Sequence, residues 1–236
     1  MARVVVVTGG SGALGSAIRR AFAASGDLPI GIDITGGQDA VGSILTADVA
    51  SEAQVGAAFD HIRKHFGDPT VLVNCAGMTG HGSVLDESIE QWRRILEVTL
   101  TSAFLCTREV IPGMRVNGGG KILNVASVNA RFGGSALSGP AYAASKGGLL
   151  TLTRFLAREH ARDGIQVNAL APGPHDTPMW TALDPALKAG ILGMIPGGNG
   201  PGHPDDLAAA VVFMCSAAAN YITGATLDIN GGQWMG

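Results

Sequence analysis

The sequence predicts an α/β fold, a doubly wound parallel sheet in a single domain over residues 1–236, on three observations. Short β-branched runs alternate with longer segments of helical period. Parallel neighbours can be joined only by crossovers, so that alternation stacks helices on both faces of one sheet. The 35 glycines, roughly double the usual ~7% share, gather in turns rather than at a fixed period. A length of 236 residues suits one such sheet with a buried centre, and no linker or internal repeat divides it.

The elements follow in order. Residues 3–7 form the first strand and run into TGGSGALG, Thr8 to Gly15; a helix over 13–25 follows, with Leu14, Ala17, Ile18, Ala21 and Phe22 at helical spacing. Further strands are expected at 29–32, 44–47, 70–73, 121–125, 166–170 and 226–229. One crossover is short: fourteen residues separate Asp33 from Asp48, and Gly36, Gly37 and Gly42 interrupt them, so a loop is expected in place of a helix. Residues 174–204 are expected to form a lid. Within it Met179, Leu183, Leu187, Ile191 and Ile195 recur every four residues and imply an apolar inner face. Gly197, Gly198, Gly200, Pro201, Gly202 and Pro204 then lead to a helix over 205–216. The whole reads as a Rossmann-type sheet.

Composition narrows the function. With 46% hydrophobic residues, 15% charged residues and a net charge of −3, the chain has no field to gather phosphates. Nucleic acid and anionic membranes are therefore not expected partners, and a small molecule is. Cys75, Cys106 and Cys215 are far apart and lack Cys-x-x-Cys spacing, which argues against a disulfide framework and for the cytoplasm. The first apolar run, Val4 to Val7, is far short of a signal or a membrane span. His61 and His65 stand four apart without a third ligand nearby, so no metal is expected.

Two motifs carry chemistry. In the glycine turn, Gly9, Ser11, Gly12, Leu14 and Gly15 would let a dinucleotide diphosphate approach the backbone and the helix N-terminus. Asp33, eighteen residues beyond Gly15, can accept hydrogen bonds from both ribose hydroxyls and would repel a 2′-phosphate. No Lys or Arg occurs between Arg20 and Arg63, so the cofactor is expected to be NAD. The second motif is Tyr142-Ala-Ala-Ser145-Lys146. Residues four apart share a helical face, so the Lys146 ammonium is expected to favour the Tyr142 phenolate and lower its pKa.

Taken in this order, the motifs resemble those of the short-chain dehydrogenase/reductase family over essentially the whole chain. The resemblance implies that Asp48 and Val49 contact adenine, and that Asn74, Ala76 and Gly77 of NCAG line the cofactor site. It also implies that Ser127 of NVAS is the catalytic serine, that Lys146 holds the nicotinamide ribose, and that Pro172, Gly173 and Thr177 of PGPHDT meet the nicotinamide. Gly224 and Asn230-Gly231-Gly232 resemble the family's last-strand motif. Three departures stand out: Ala13 replaces a glycine, Ser127 lies fifteen residues before Tyr142, and Thr99 falls where the family's catalytic asparagine stands. The resemblance places Thr99 at a helix irregularity. There its hydroxyl is expected to bond a carbonyl three or four residues back and help a backbone carbonyl hold a relay water.

The implied activity is NAD-dependent interconversion of a secondary alcohol and a ketone, with Tyr142 as general acid/base, assisted by Ser127, Lys146 and Thr99. Asn129, Arg131, His175 and Trp180 are the candidate substrate contacts, because their loops should gather above the sheet's C-terminal edge. A 3-oxoacyl-thioester reductase and a catalytically idle NAD-binding protein are the alternatives. The resemblance also implies a homotetramer, packed through residues 88–111 and 141–160.

Overall fold

The computed structural model describes residues 2–135, 137–197 and 200–236; residues 198 and 199, within the expected lid, lie outside the described residues. β1 (Val4–Thr8) leads through the glycine turn into α1 (Ala13–Ala24), and β2 (Leu28–Asp33) returns beside it. There follow β3 (Gly37–Asp39), β4 (Gly42–Thr46), α2 (Glu52–Phe66), β5 (Val71–Asn74), α3 (Ile89–Leu96) and α4 (Ser102–Val116), the last two joined by a π-helical turn over Glu97–Thr101. The second half comprises β6 (Gly120–Val125), α5 (Asn129–Phe132), α6 (Pro140–His160), β7 (Ile165–Pro172), α7 (Pro178–Thr181), α8 (Pro185–Leu192), α9 (Pro204–Met214) and β8 (Thr226–Ile229).

The sheet runs β3-β4-β2-β1-β5-β6-β7-β8, and every neighbouring pair is parallel except β3 with β4. The strand order reverses between β1 and β5, and in open α/β sheets ligands bind beyond the carboxyl ends of the strands at that reversal. β1 is buried on both faces, as its unbroken valine run requires. Its side chains alternate: Val4 and Val6 join Phe59, Ile62, Val110 and Met114 of α2 and α4, while Val5 and Val7 join Ile18 and Phe22 of α1 and Val211 of α9. These are the two cores of a doubly wound sheet.

Two expectations are corrected. Between Asp33 and Asp48 the chain forms a hairpin, not a loop: β3 pairs antiparallel with β4 through Gly37 and Ile44, Gln38 and Ser43, and Asp39 and Gly42. The eight residues between Asp33 and Gly42 are too few to cross a face as a helix, and Gly37 and Gly42, both at positive φ, let the chain fold back on itself. In the lid segment, Pro185 starts a second short helix, so the four-residue spacing never builds one stripe. Met179 and Leu187 face solvent, while Trp180 and Ile195 are buried. The stems of the segment are tied by two backbone bonds, Asp176 N–H to Gly202 O at 2.8 Å and Gly202 N–H to Pro174 O at 3.0 Å.

A polar thread crosses the core. The Asn74 amide donates to Asn124 Oδ1 (2.9 Å) and Thr107 Oγ1 (3.4 Å), and the Asn124 amide donates to Thr153 Oγ1 (2.9 Å). Asn74 and Asn124 face each other across β5 and β6, so the thread fastens α4 and α6 to the sheet at one level. Asn124 is fully buried. Replacing it by the near-isosteric leucine strands the Asn74 donor, and Asn124→Leu is expected to lower unfolding free energy by about 2 kcal/mol in urea titrations.

Candidate active site

The glycine turn is built for close approach. A Cβ on Gly15 would lie 2.1 Å from Gly9 O, and one on Gly10 would lie 2.6 Å from Gly31 Cα. Gly12 precedes α1 with no side-chain cap, Ala13 opens the helix, and the first turn carries no acidic residue, so the N-terminal amides face the sheet edge unobstructed. Ser11 N–H donates to Asp33 Oδ2 at 3.0 Å, which brings the carboxylate at the end of β2 onto the turn. Leu14, in the first turn of α1, packs at the edge of the core. A Cβ on Gly9 would touch Ala76 at 3.0 Å, and the Thr8 hydroxyl accepts the Cys75 and Ala76 N–H groups at 3.0 Å each. The ends of β1, β2 and β5 thus form one continuous floor.

On that floor Gly77 leads to the reactive group. Its missing Cβ would stand 3.3 Å from Lys146 Nζ and 3.8 Å from Thr99 Oγ1. Lys146 donates to Val125 O at 2.6 Å and lies 5.6 Å from the centroid of the Tyr142 ring, one helical turn back along α6. Ser127, just past β6, stands beside the Tyr142 phenol, and its Oγ accepts the Asn129 N–H at 3.1 Å. Burial raises the Tyr142 pKa, with Ser127 opposing. Burial also pushes the Lys146 ammonium down to about 8 and the Cys75 thiol up to about 11. The expected lowering of Tyr142 by Lys146 is therefore corrected: desolvation dominates, and the lysine is turned to a carbonyl.

Thr99 is buried in the π-helical turn, where the resemblance placed a helix irregularity. Its hydroxyl accepts the Met78 N–H at 3.2 Å, so it ties down the segment after Gly77. The expected bond to a carbonyl four residues back is made instead by Ser102, to Val98 O at 2.6 Å.

The other expected contacts divide. Asp48 accepts the Ala50 N–H (2.9 Å) and pairs with Arg94 (2.9 Å); burial would raise its pKa, but these two partners outweigh it and hold it below the usual range. Val49 beside it is buried. Pro172 ends β7, and a Cβ on Gly173 would lie 2.9 Å from Asn230 Cα, which explains why glycine stands against the Asn-Gly-Gly turn. Thr177 caps α7 by accepting the Trp180 N–H at 3.3 Å. His175 holds Gly173 O at 2.9 Å through Nδ1, while its buried Nε2 has no protein partner and borders a cavity of about 350 Å³ with Pro174, Ile195, Asp206 and Asn230. Asn129 begins α5 half-buried.

Two expectations fail on geometry. Asn74 commits its amide to the polar thread, donating to Asn124 and Thr107. Arg131 is committed to Asp228 on β8 by two bonds of 3.0 and 2.9 Å, so it fastens α5 to the sheet and presents no free guanidinium to a substrate. Sequence reading missed Thr8, Arg94 and Asn124. Thr8 alone had a signal, its place at the head of the glycine turn. Among the described residues no cluster of three or more His, Cys, Asp or Glu is placed to hold a metal, and no helix is long and apolar enough to cross a membrane.

A glycine cradle that side chains would fill, an uncapped helix N-terminus and a carboxylate at the end of β2 fit a dinucleotide, and the Ser127, Tyr142 and Lys146 cluster lies along the same floor. Fold and site together define a dinucleotide-dependent oxidoreductase. A family model described as enoyl-(acyl carrier protein) reductase matches residues 31–233. The chain is 36% identical to the 3-oxoacyl-(acyl-carrier-protein) reductase of Escherichia coli (strain K12), over 99% of this chain and 98% of that protein. It is 35% identical to the cis-4-hydroxycyclohexanecarboxylate dehydrogenase of Sinomonas cyclohexanicum, over 98% and 96%. Among solved structures, the 3-ketoacyl-(acyl-carrier-protein) reductase of Brucella melitensis complexed with NADH superposes with a TM-score of 0.90 at 31% identity, covering 99% of this chain and 98% of that one. The ligand-free aldohexose dehydrogenase of Thermoplasma acidophilum gives 0.90 at 32%, covering 98% and 94%. The chain belongs to the short-chain dehydrogenase/reductase family, and is an oxidoreductase with a nicotinamide cofactor.

Lys146 makes a pH test. Its folded pKa of about 8 lies below the ordinary 10.5, so between these values the unfolded chain binds a proton that the folded chain lacks. The penalty is complete below pH 8 and is relieved as pH rises. In urea titrations the stability advantage of Lys146→Met over wild type should shrink by about 3 kcal/mol between pH 8 and 10.5.

Proposed function

We propose that the chain interconverts a secondary alcohol and a ketone with NAD as hydride partner, and that Tyr142 moves the proton. The observation that carries the reading is the buried Lys146 ammonium 5.6 Å from the Tyr142 ring, one turn along the same helix, with Ser127 beside the phenol. Ser127 orients the substrate oxygen by hydrogen bonding. Tyr142, kept protonated by burial, donates to that oxygen in reduction and takes the proton back in oxidation. Lys146, near 8, can exchange a proton close to neutral pH. Thr99 holds the Met78 segment beneath it.

Gly9, Ser11, Gly12, Leu14 and Gly15 would cradle the diphosphate, Asp33 the adenosine ribose, and Asp48 and Val49 the adenine. Ala76, Gly77, Lys146, Pro172, Gly173 and Thr177 would hold the nicotinamide half. Bound there, NAD supplies the hydride acceptor. Asp33 supports NAD over NADP, as does the pairing of Arg19, the last cation before Arg20 and the long cation-free stretch, with Asp39.

Residues 174–204 are the proposed lid of this single domain, and Asn129, His175 and Trp180 the proposed substrate contacts. The relatives act on unlike substrates at similar identity, and their named activities share the alcohol–carbonyl couple. Reduction of a 3-oxoacyl thioester is the second reading, favoured by the Escherichia coli relative and the Brucella structure. Assay of NADH oxidation with a 3-oxoacyl thioester, a cyclic ketone and an aldonolactone separates the two. An idle NAD-binding protein would turn over none of them, and the intact Ser127, Tyr142 and Lys146 cluster argues against it. Exposed Phe104 on α4 and Phe155 on α6 support a homotetramer packed through 88–111 and 141–160.

Tyr142→Phe removes only the proton-carrying oxygen and should reduce kcat by about 10²-fold or more with NAD affinity unchanged; retention of a tenth of kcat would assign the proton to another residue. Wild type should bind NAD more tightly than NADP by about tenfold or more in titrations, and Asp33→Ala should narrow the gap by weakening NAD.

A further inference from the structure

Arg19 is fully buried, an uncommon place for a guanidinium, and nothing in the proposed reaction uses it. It leaves α1 beneath the glycine turn and passes between two residues without side chains: Cβ atoms on Gly10 and Gly31 would stand 3.3 and 3.4 Å from its Cδ. Beyond that gap Nη1 donates to Asp39 Oδ2 (2.8 Å) and Nη2 to Asp39 Oδ1 (3.0 Å), a two-point pair. Nη2 also donates to Gly42 O (3.1 Å), and Nη1 reaches back to Gly10 O (3.4 Å). Asp39 in turn accepts the Val41 and Gly42 N–H groups, which shapes the hairpin tip.

The hairpin occupies the interval between Asp33 and Asp48, the two carboxylates on the adenosine side of the cleft. Its outer strand, β3, is exposed along its whole length and has β4 as its one neighbour in the sheet among the described residues. The main chain ties its near end, with Ala47 N–H on Asp33 O at 2.8 Å. Arg19 ties its far end.

We propose that Arg19 is a positioning residue for the cofactor: it grips the glycine turn at Gly10 and the hairpin at Asp39 and Gly42, and so sets the opening between Asp33 and Asp48 that receives the adenosine. This rests on the NAD reading above. Arg19 lies beneath the glycine turn and would act on the cofactor only through Gly10 and the hairpin, and because no helix crosses between β2 and β4 it is a side-chain tie from α1 to the hairpin's outer strand.

The test uses the asymmetry of an ion pair with one buried member, Arg19, and one exposed, Asp39. Removing Asp39 alone strands a buried charge and destabilises the whole protein, whereas replacing both partners by uncharged residues is close to neutral for folding. Arg19→Met combined with Asp39→Ala should therefore melt close to wild type. In that variant the Kd for NAD, read by calorimetric titration, should rise about tenfold, and amide exchange over residues 37–46 should quicken by a similar factor. If the double variant fails to fold, Arg19→Lys carries the test. A lysine keeps the charge but reaches one partner at a time, so NAD binding should weaken about threefold or more with the melting temperature kept. NAD affinity within about twofold of wild type in a folded variant, or unchanged exchange over 37–46, overturns the inference alone. A wild-type protein that does not bind NAD overturns the cofactor reading and this inference with it.

Discussion

The site depends on the close approach of main chain to main chain at the end of the first strand. With Cβ positions 2.1 Å from Gly9 O and 2.6 Å from Gly31 Cα, Gly15 and Gly10 cannot carry side chains, and α1 lies down on β1 and β2 only because they do not. That docking aims the helix N-terminus across the sheet edge. It also leaves room for Gly9 against Ala76, which joins β1 to β5 where the strand order reverses. The Thr8 hydroxyl, accepting two backbone amides, seals the junction.

Beyond that junction the governing quantity is desolvation. Burial raises the Tyr142 phenol and the Cys75 thiol and lowers the Lys146 ammonium, so all three are biased toward their neutral forms. In such a corner a single charge is felt strongly, and small changes of hydrogen bonding decide where a proton rests. The polar thread through Asn74, Asn124 and Thr153 steadies the corner from below. It fastens α6, which carries Tyr142 and Lys146, to the strand whose last carbonyl Lys146 holds.

The arginines near the cleft serve structure. Arg94 is bound to Asp48, Arg131 to Asp228 and Arg19 to Asp39. Each pair joins a helix to a strand or strand end. The β3–β4 hairpin shows the same economy of chain: a crossover too short for a helix becomes an extra edge strand, and that strand is tied to α1 by one ion pair whose arginine is buried and whose aspartate is exposed.

The alternation of strand and helix, the glycine turn, Asp33 and the Tyr142–Lys146 spacing were legible in the sequence because each rests on local geometry: a period, a positive φ, one turn of helix. The family resemblance added Ser127 and a helix irregularity at Thr99, which the structure shows to be a π-helical turn. What remained hidden depended on partners far apart in the chain. Arg131 looked free until Asp228 stood beside it, ninety-seven residues away, and Asn74 looked like a cofactor contact until β6 brought Asn124 opposite. The direction of the Tyr142 shift was hidden too, since a lysine one turn away is visible in sequence, whereas the burial that outweighs it is not. Spacing along a chain decides which side chains share a face; only the folded structure decides what that face meets, and the pairing and desolvation that follow set the chemistry.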